Sequence, residues 1–125
     1  MFKPGFTLIE LLIALAIASI LAAIAIPQYA EYKQRGFDTA SKADLRNAAQ
    51  AQEAYFADNS QYLACEDTET CAAGLPGIYQ FSNGTSIAFS VDGTHFIGTA
   101  SNPHGSPNNK FTWDNHKGGL QANNT

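Results

Sequence analysis

Apolar residues run almost unbroken from Phe6 to Ile26, and Pro27 closes the run. Those 21 or so residues hold one formal charge, Glu10. At ~1.5 Å per residue they make ~31 Å of helix, enough to cross the hydrocarbon core of a bilayer. Past Pro27 the pattern changes. Gln28 to Ala57 is rich in Ala, Gln, Glu, Lys and Arg, which are good helix formers. Leu45, Ala48, Ala49, Gln52, Tyr55 and Phe56 recur there at helical spacing, with charges on the other face. The pattern predicts one helix from about Thr7 to Ala57, apolar all round in its first half and amphipathic in its second. Proline lacks a backbone donor and crowds the turn before it, so a kink is expected at Pro27. Gly36 is a second soft point.

Asp58-Asn59-Ser60 stops the helix. Residues 58–77 carry Cys65, Cys71, Gly74, Pro76 and Gly77 and read as a loop. After it the period falls to two. Ile78–Phe81 is a short strand candidate, and Ile87, Phe89 and Val91 alternate with Ala88 and Ser90. Asp92-Gly93 is a two-residue hairpin signal, with Thr94–Ala100 as the return strand. Ser101–Asn109, with Pro103, Gly105 and Pro107, is a loop. Phe111–Trp113 is a last short strand before a polar, Gly-rich tail. A long helix followed by a run of strands predicts an α+β fold, the helix packed on a small antiparallel sheet spanning 78–125.

The order of residues at the start is more specific than the pattern. A secretory signal peptide has its small-residue cut after the apolar run. Here Gly5 precedes the run, and a carboxylate lies just inside it. An acid within a membrane segment is costly and demands a partner or a function. Lys3-Pro4-Gly5, then Phe6-Thr7-Leu8-Ile9-Glu10, then Ile26-Pro27 resemble, residue by residue, the prepilin N-terminus of the type IV pilin superfamily. The resemblance is dense over residues 4–30 and looser beyond, and Ser19 stands where many members carry glycine.

The resemblance implies a pilin-like fold and a processing history. Residues 1–5 would be a leader removed by prepilin peptidase after Gly5. Phe6 would become the N-methylated first residue, and 6–26 the membrane span and later the filament core. Glu10 would pair with the freed Phe6 amine of a neighbouring copy and set the register of a helical homopolymer. A buried pair of that kind specifies geometry better than it adds stability. The implied partners are other copies of the chain, the peptidase and methyltransferase, an inner-membrane assembly platform and the membrane. Lys3 and the initiator amine place the N-terminus in the cytoplasm by the positive-inside rule. The destination after assembly would be an extracellular pilus.

Charge and cysteines narrow the reading further. The chain has 125 residues and a net charge of −4, room for one modest domain. Residues 28–56 balance their charges, whereas 57–125 hold Lys110 and Lys117 against Asp58, Glu66, Asp67, Glu69, Asp92 and Asp114. Binding to phosphate backbones needs clustered Lys and Arg, so nucleic acid is not favoured as a partner. In an exported head Cys65 and Cys71 are expected to form a disulfide that pins the 58–77 loop. The competing reading, half a metal site, lacks further ligands, since His95, His104 and His116 are scattered. No nucleophile–base pair and no phosphate-cradling loop stand at a credible spacing. Neither an enzyme nor a cofactor is therefore expected. Phe6, Tyr29, Tyr32, Phe37, Tyr55 and Phe56 along the helix read as packing groups. A structural pilus subunit is the reading these features favour. Its rivals are a pseudopilin of a type II secretion system, a minor or DNA-uptake pilin, and a membrane-anchored binding protein.

Overall fold

The computed structural model describes residues 4–122. Lys3, in the expected leader, lies outside them. One helix, α1, runs from Leu8 to Asn59 and passes through Pro27 without a break. It starts on a reciprocal cap, described below, and ends where Ser60 takes a positive φ of 58°. The chain divides into two compact units, one up to Lys33 and one from Gln34 onward. In the first, every large apolar side chain of α1 from Leu8 to Ile26 is exposed. Its most apolar window has a mean hydropathy of 2.7, and none of that window is covered. Ser19, in the glycine-like position, donates its hydroxyl to the Leu15 carbonyl at 2.7 Å, which satisfies the side chain without solvent.

The second unit holds the rest of α1, a short helix α2 (Thr68–Gly74) and four strands: β1 (Ser86–Asp92), β2 (His95–Ser101), β3 (Lys110–Asp114) and β4 (Gly119–Leu120). The strands form an antiparallel meander in the order β1-β2-β3-β4. Register puts Ile87, Ala100 and Phe111 in one row and Phe89, Gly98, Trp113 and Leu120 in the next. Opposed residues share a face of the sheet. This is the buried face, closed by Leu45, Ala48, Ala49 and Ala51 of α1. Gly98 must be glycine, because a Cβ there would strike the Phe89 ring and lie 3.0 Å from Leu45. The helix, hairpin and β3 predicted from periodicity are all present, and the fold is α+β.

Three elements differ from expectation. The 58–77 stretch contains α2, because Asp67 and Thr70 form a capping box. The Asp67 carboxylate takes the Thr70 N–H at 2.8 Å, and the Thr70 hydroxyl takes the Asp67 N–H at 3.3 Å. Residues 78–81 alternate in burial but form no strand. The free edge of β1 is already occupied there. Cys65 exchanges backbone bonds with Phe89, and the Thr68 hydroxyl takes the Ile87 N–H. The third difference is β4 in the tail, where Gly118 and Gly119 take positive φ and turn Leu120 back onto Trp113.

Candidate functional site

The N-terminal residues singled out in the sequence meet at the first turn of α1. The Thr7 N–H and hydroxyl both donate to the Glu10 carboxylate, at 2.7 and 2.9 Å. The Glu10 N–H in turn donates to the Thr7 hydroxyl at 3.2 Å. This is a capping box of the Thr-x-x-Glu type, with the acid at the positive end of the helix dipole. Glu10 is thus held within its own chain, an arrangement that sequence reasoning missed. The signal was available, since Thr7 and Glu10 have the spacing of the box and precede an apolar run. Phe6 is 86% exposed. Gly5 has nothing near the space a Cβ would fill, so the bond between them lies open to an enzyme.

In the second unit Cys65 and Cys71 form the expected disulfide, with a Cα separation of 5.2 Å. Both are buried, and the bond fastens α2 beside β1. Gln52, fully buried on α1, clamps the start of this segment. Its amide donates to the Leu63 carbonyl at 2.6 Å and accepts the Leu63 N–H at 2.9 Å. This two-point contact copies a strand pairing. Leu63 is held in place two residues before the disulfide.

Charges on the second half of α1 are sorted by face. The acids turn toward the chain. Asp44 accepts the Ser82 N–H at 2.8 Å, and Glu53 accepts the Tyr62 hydroxyl at 3.2 Å. Asp38, buried, accepts the Ser106 N–H at 3.1 Å and the Asn109 amide at 2.8 Å. Burial pushes the Asp38 carboxyl up, but those hydrogen bonds and the Lys42 charge outweigh it and hold it below the usual carboxylate range. Arg35, Lys42 and Arg46 recur at seven and four residues, so they share one side of the helix. All three are exposed. Lys42 lies 4.8 Å above the Phe111 ring and borders a groove of about 450 Å³ lined by Phe111, Leu120, Gln121 and Ala122. Among the described residues the only ion pairs end on Asp114, from His95 at 2.9 Å and Lys117 at 4.0 Å.

Sequence comparison agrees with this architecture. A model described as the prokaryotic N-terminal methylation motif matches residues 3–26. With the apolar helix and the α+β head, that motif defines the class of the type IV pilins. A second model matches residues 27–110, and the chain belongs to the family it describes, the type IV minor pilin ComP, DNA uptake sequence receptor. Among curated proteins, the chain is similar to the type IV wide pilus major component PilA4 of Thermus thermophilus, 50% identical over 48% of this chain and 46% of the relative. It is 43% identical to the type IV major pilin protein PilA of Myxococcus xanthus over 49% of this chain and 29% of that one. It is 35% identical to the fimbrial protein EcpC of Eikenella corrodens over 78% of this chain and 61% of the relative. The chain therefore spans well under two thirds of the length of each of these relatives.

Proposed function

We propose that the chain is a structural subunit of a type IV pilus, stored in the inner membrane and polymerised after processing. One observation carries the reading: the N-terminal helix leaves its large apolar side chains uncovered from Leu8 to Ile26, behind a matched methylation motif. So large an apolar surface needs a bilayer or other copies of itself. In this reading the peptidase cuts after Gly5 and Phe6 is methylated. The Thr7–Glu10 box shields the carboxylate while the subunit waits in the membrane. The freed Phe6 amine of a neighbour then competes for Glu10 during assembly. Pro27 supplies a point where the helix bends as copies pack. Mass spectrometry of sheared surface fibres tests it. The expected result is an abundant species that begins at methylated Phe6. A chain found as a soluble periplasmic species and absent from fibres would refute the proposal.

A second reading, reception of duplex DNA, comes with the family's description and is supported by Arg35, Lys42 and Arg46 on one helix side. The sequence expectation ran against nucleic acid because α1 looked balanced in charge. With its acids engaged internally, that side of the helix is more positive than its composition suggests. Fluorescence anisotropy with a labelled duplex decides it. Binding that weakens steeply with salt supports the reading, and no binding at low salt removes it.

A further inference from the structure

The two charges of the head lie on opposite edges of its sheet. Arg35, Lys42 and Arg46 line the side of α1 that passes over β3 and β4, as the Lys42–Phe111 contact and the groove to Ala122 establish. At the other edge, against β1, stands the segment fastened by Cys65–Cys71, with Glu66, Asp67 and Glu69 exposed. No Lys or Arg occurs between Arg46 and Lys110. None of these three acids has an ion pair among the described residues, and neither do Arg35, Lys42 and Arg46.

Building on the filament reading, we propose that heads pack side by side, the acidic edge of one copy against the basic edge of the next. In a homopolymer each acidic segment lies among identical chains, and like charges brought together are strongly disfavoured. The opposite charge supplied in equal number by every neighbour is the Arg35–Lys42–Arg46 side. The two surfaces differ, so the contact is heterologous, the type that propagates into a helix instead of closing as a dimer. The disulfide and the Gln52 clamp give the acidic edge a fixed position to be matched. Glu66, Asp67 and Glu69 would thus select the neighbour and its register, while the apolar helices supply most of the cohesion.

Charge reversal tests this in a piliated host lacking its own copy of the gene. Arg46→Glu and Glu66→Lys are both exposed changes, and each alone should lower sheared fibre relative to the membrane pool by at least about tenfold. Co-expression of the two single variants should restore fibres. In a mixed filament each reversed edge meets a complementary one. Thermal unfolding of each purified full-length variant in detergent should match wild type, which separates lost contacts from a damaged fold. Wild-type fibre yields from both single variants would overturn the proposal, as would failure of co-expression to restore them. Normal fibres from Arg46→Glu with loss of duplex DNA binding would also overturn it and assign the basic edge to nucleic acid. If the unaltered chain forms no fibres in this host, the filament reading itself fails, an outcome distinct from a charge-insensitive filament.

Discussion

Replacing Gln52 by leucine is expected to weaken the head by about 2–4 kcal/mol. Gln52 is fully buried, and its amide satisfies both the N–H and the C=O of Leu63, at 2.9 and 2.6 Å. Leucine fills similar space but offers neither a donor nor an acceptor. Each backbone group left unsatisfied costs roughly 1–3 kcal/mol. Leu63 is only half buried, so water can reach part of the contact and the lower half of the combined range applies. For a unit of this size each kcal/mol is worth ~4–8 °C in Tm, which predicts a fall of roughly 10–25 °C. Gln52→Glu is the sharper variant. It keeps the acceptor for the Leu63 N–H but sets a carboxylate against the Leu63 carbonyl in a buried site, so it should lose at least as much. Near-UV circular dichroism of the full-length protein in detergent, followed with temperature, measures both. A Gln52→Leu protein melting within about 2 °C of wild type, less than 1 kcal/mol on that scale, would show that the clamp contributes nothing.

Other expectations concern processing, assembly and pH. Gly5→Leu should leave full-length chain in the membrane, seen as unshifted mass, while trimmed subunit in that variant would refute the cleavage assignment. Purified protein should show no reactive thiol without reductant. Replacing both Cys65 and Cys71 by serine should cost on the order of 2 kcal/mol, the gain expected from closing so short a loop, with insertion intact by membrane fractionation. Glu10→Ala and Glu10→Gln should both accumulate as cleaved, inserted subunit with few fibres; abundant fibres from Glu10→Ala alone would exclude the carboxylate as an assembly determinant. Asp38 is held below its ordinary range in the folded head. Its stabilising contribution is therefore full above the unfolded value near ~3.9 and is lost as pH falls through the lower folded value. Urea titrations below pH 4 should show a shallower loss for Asp38→Asn than for wild type.

Elements with long, regular periods were legible in the sequence. The apolar run, the stripe from Leu45 to Phe56 and the Asp92-Gly93 hairpin each repeat a burial pattern over several turns or residues. Helix α2 was missed because it spans only Thr68–Gly74. Its determinant is a local bond between Asp67 and Thr70 that leaves no periodic trace. Ile78–Phe81 carries a strand-like alternation, yet strand formation needs a free edge, and Cys65 and Thr68 already occupy that of β1. Glu10 was legible as an anomaly, an acid in an apolar run, but its Thr7 partner was not weighed. The charge sorting on α1 was hidden by arithmetic, because Asp38, Asp44 and Glu53 cancel the basic residues in a sum while pointing elsewhere in space.

The meander has a consequence for how the head is made. Each strand pairs with the strand that precedes it in the chain, and β1 is sealed on its other side by Cys65 and Thr68, which are synthesised earlier still. Such low contact order favours rapid folding, because no pairing waits for a distant partner. A chain threaded through a translocon N-terminus first can therefore lay down its sheet in order of emergence. Every new strand finds its template already waiting, and no open edge is presented to other nascent chains crowding the same membrane.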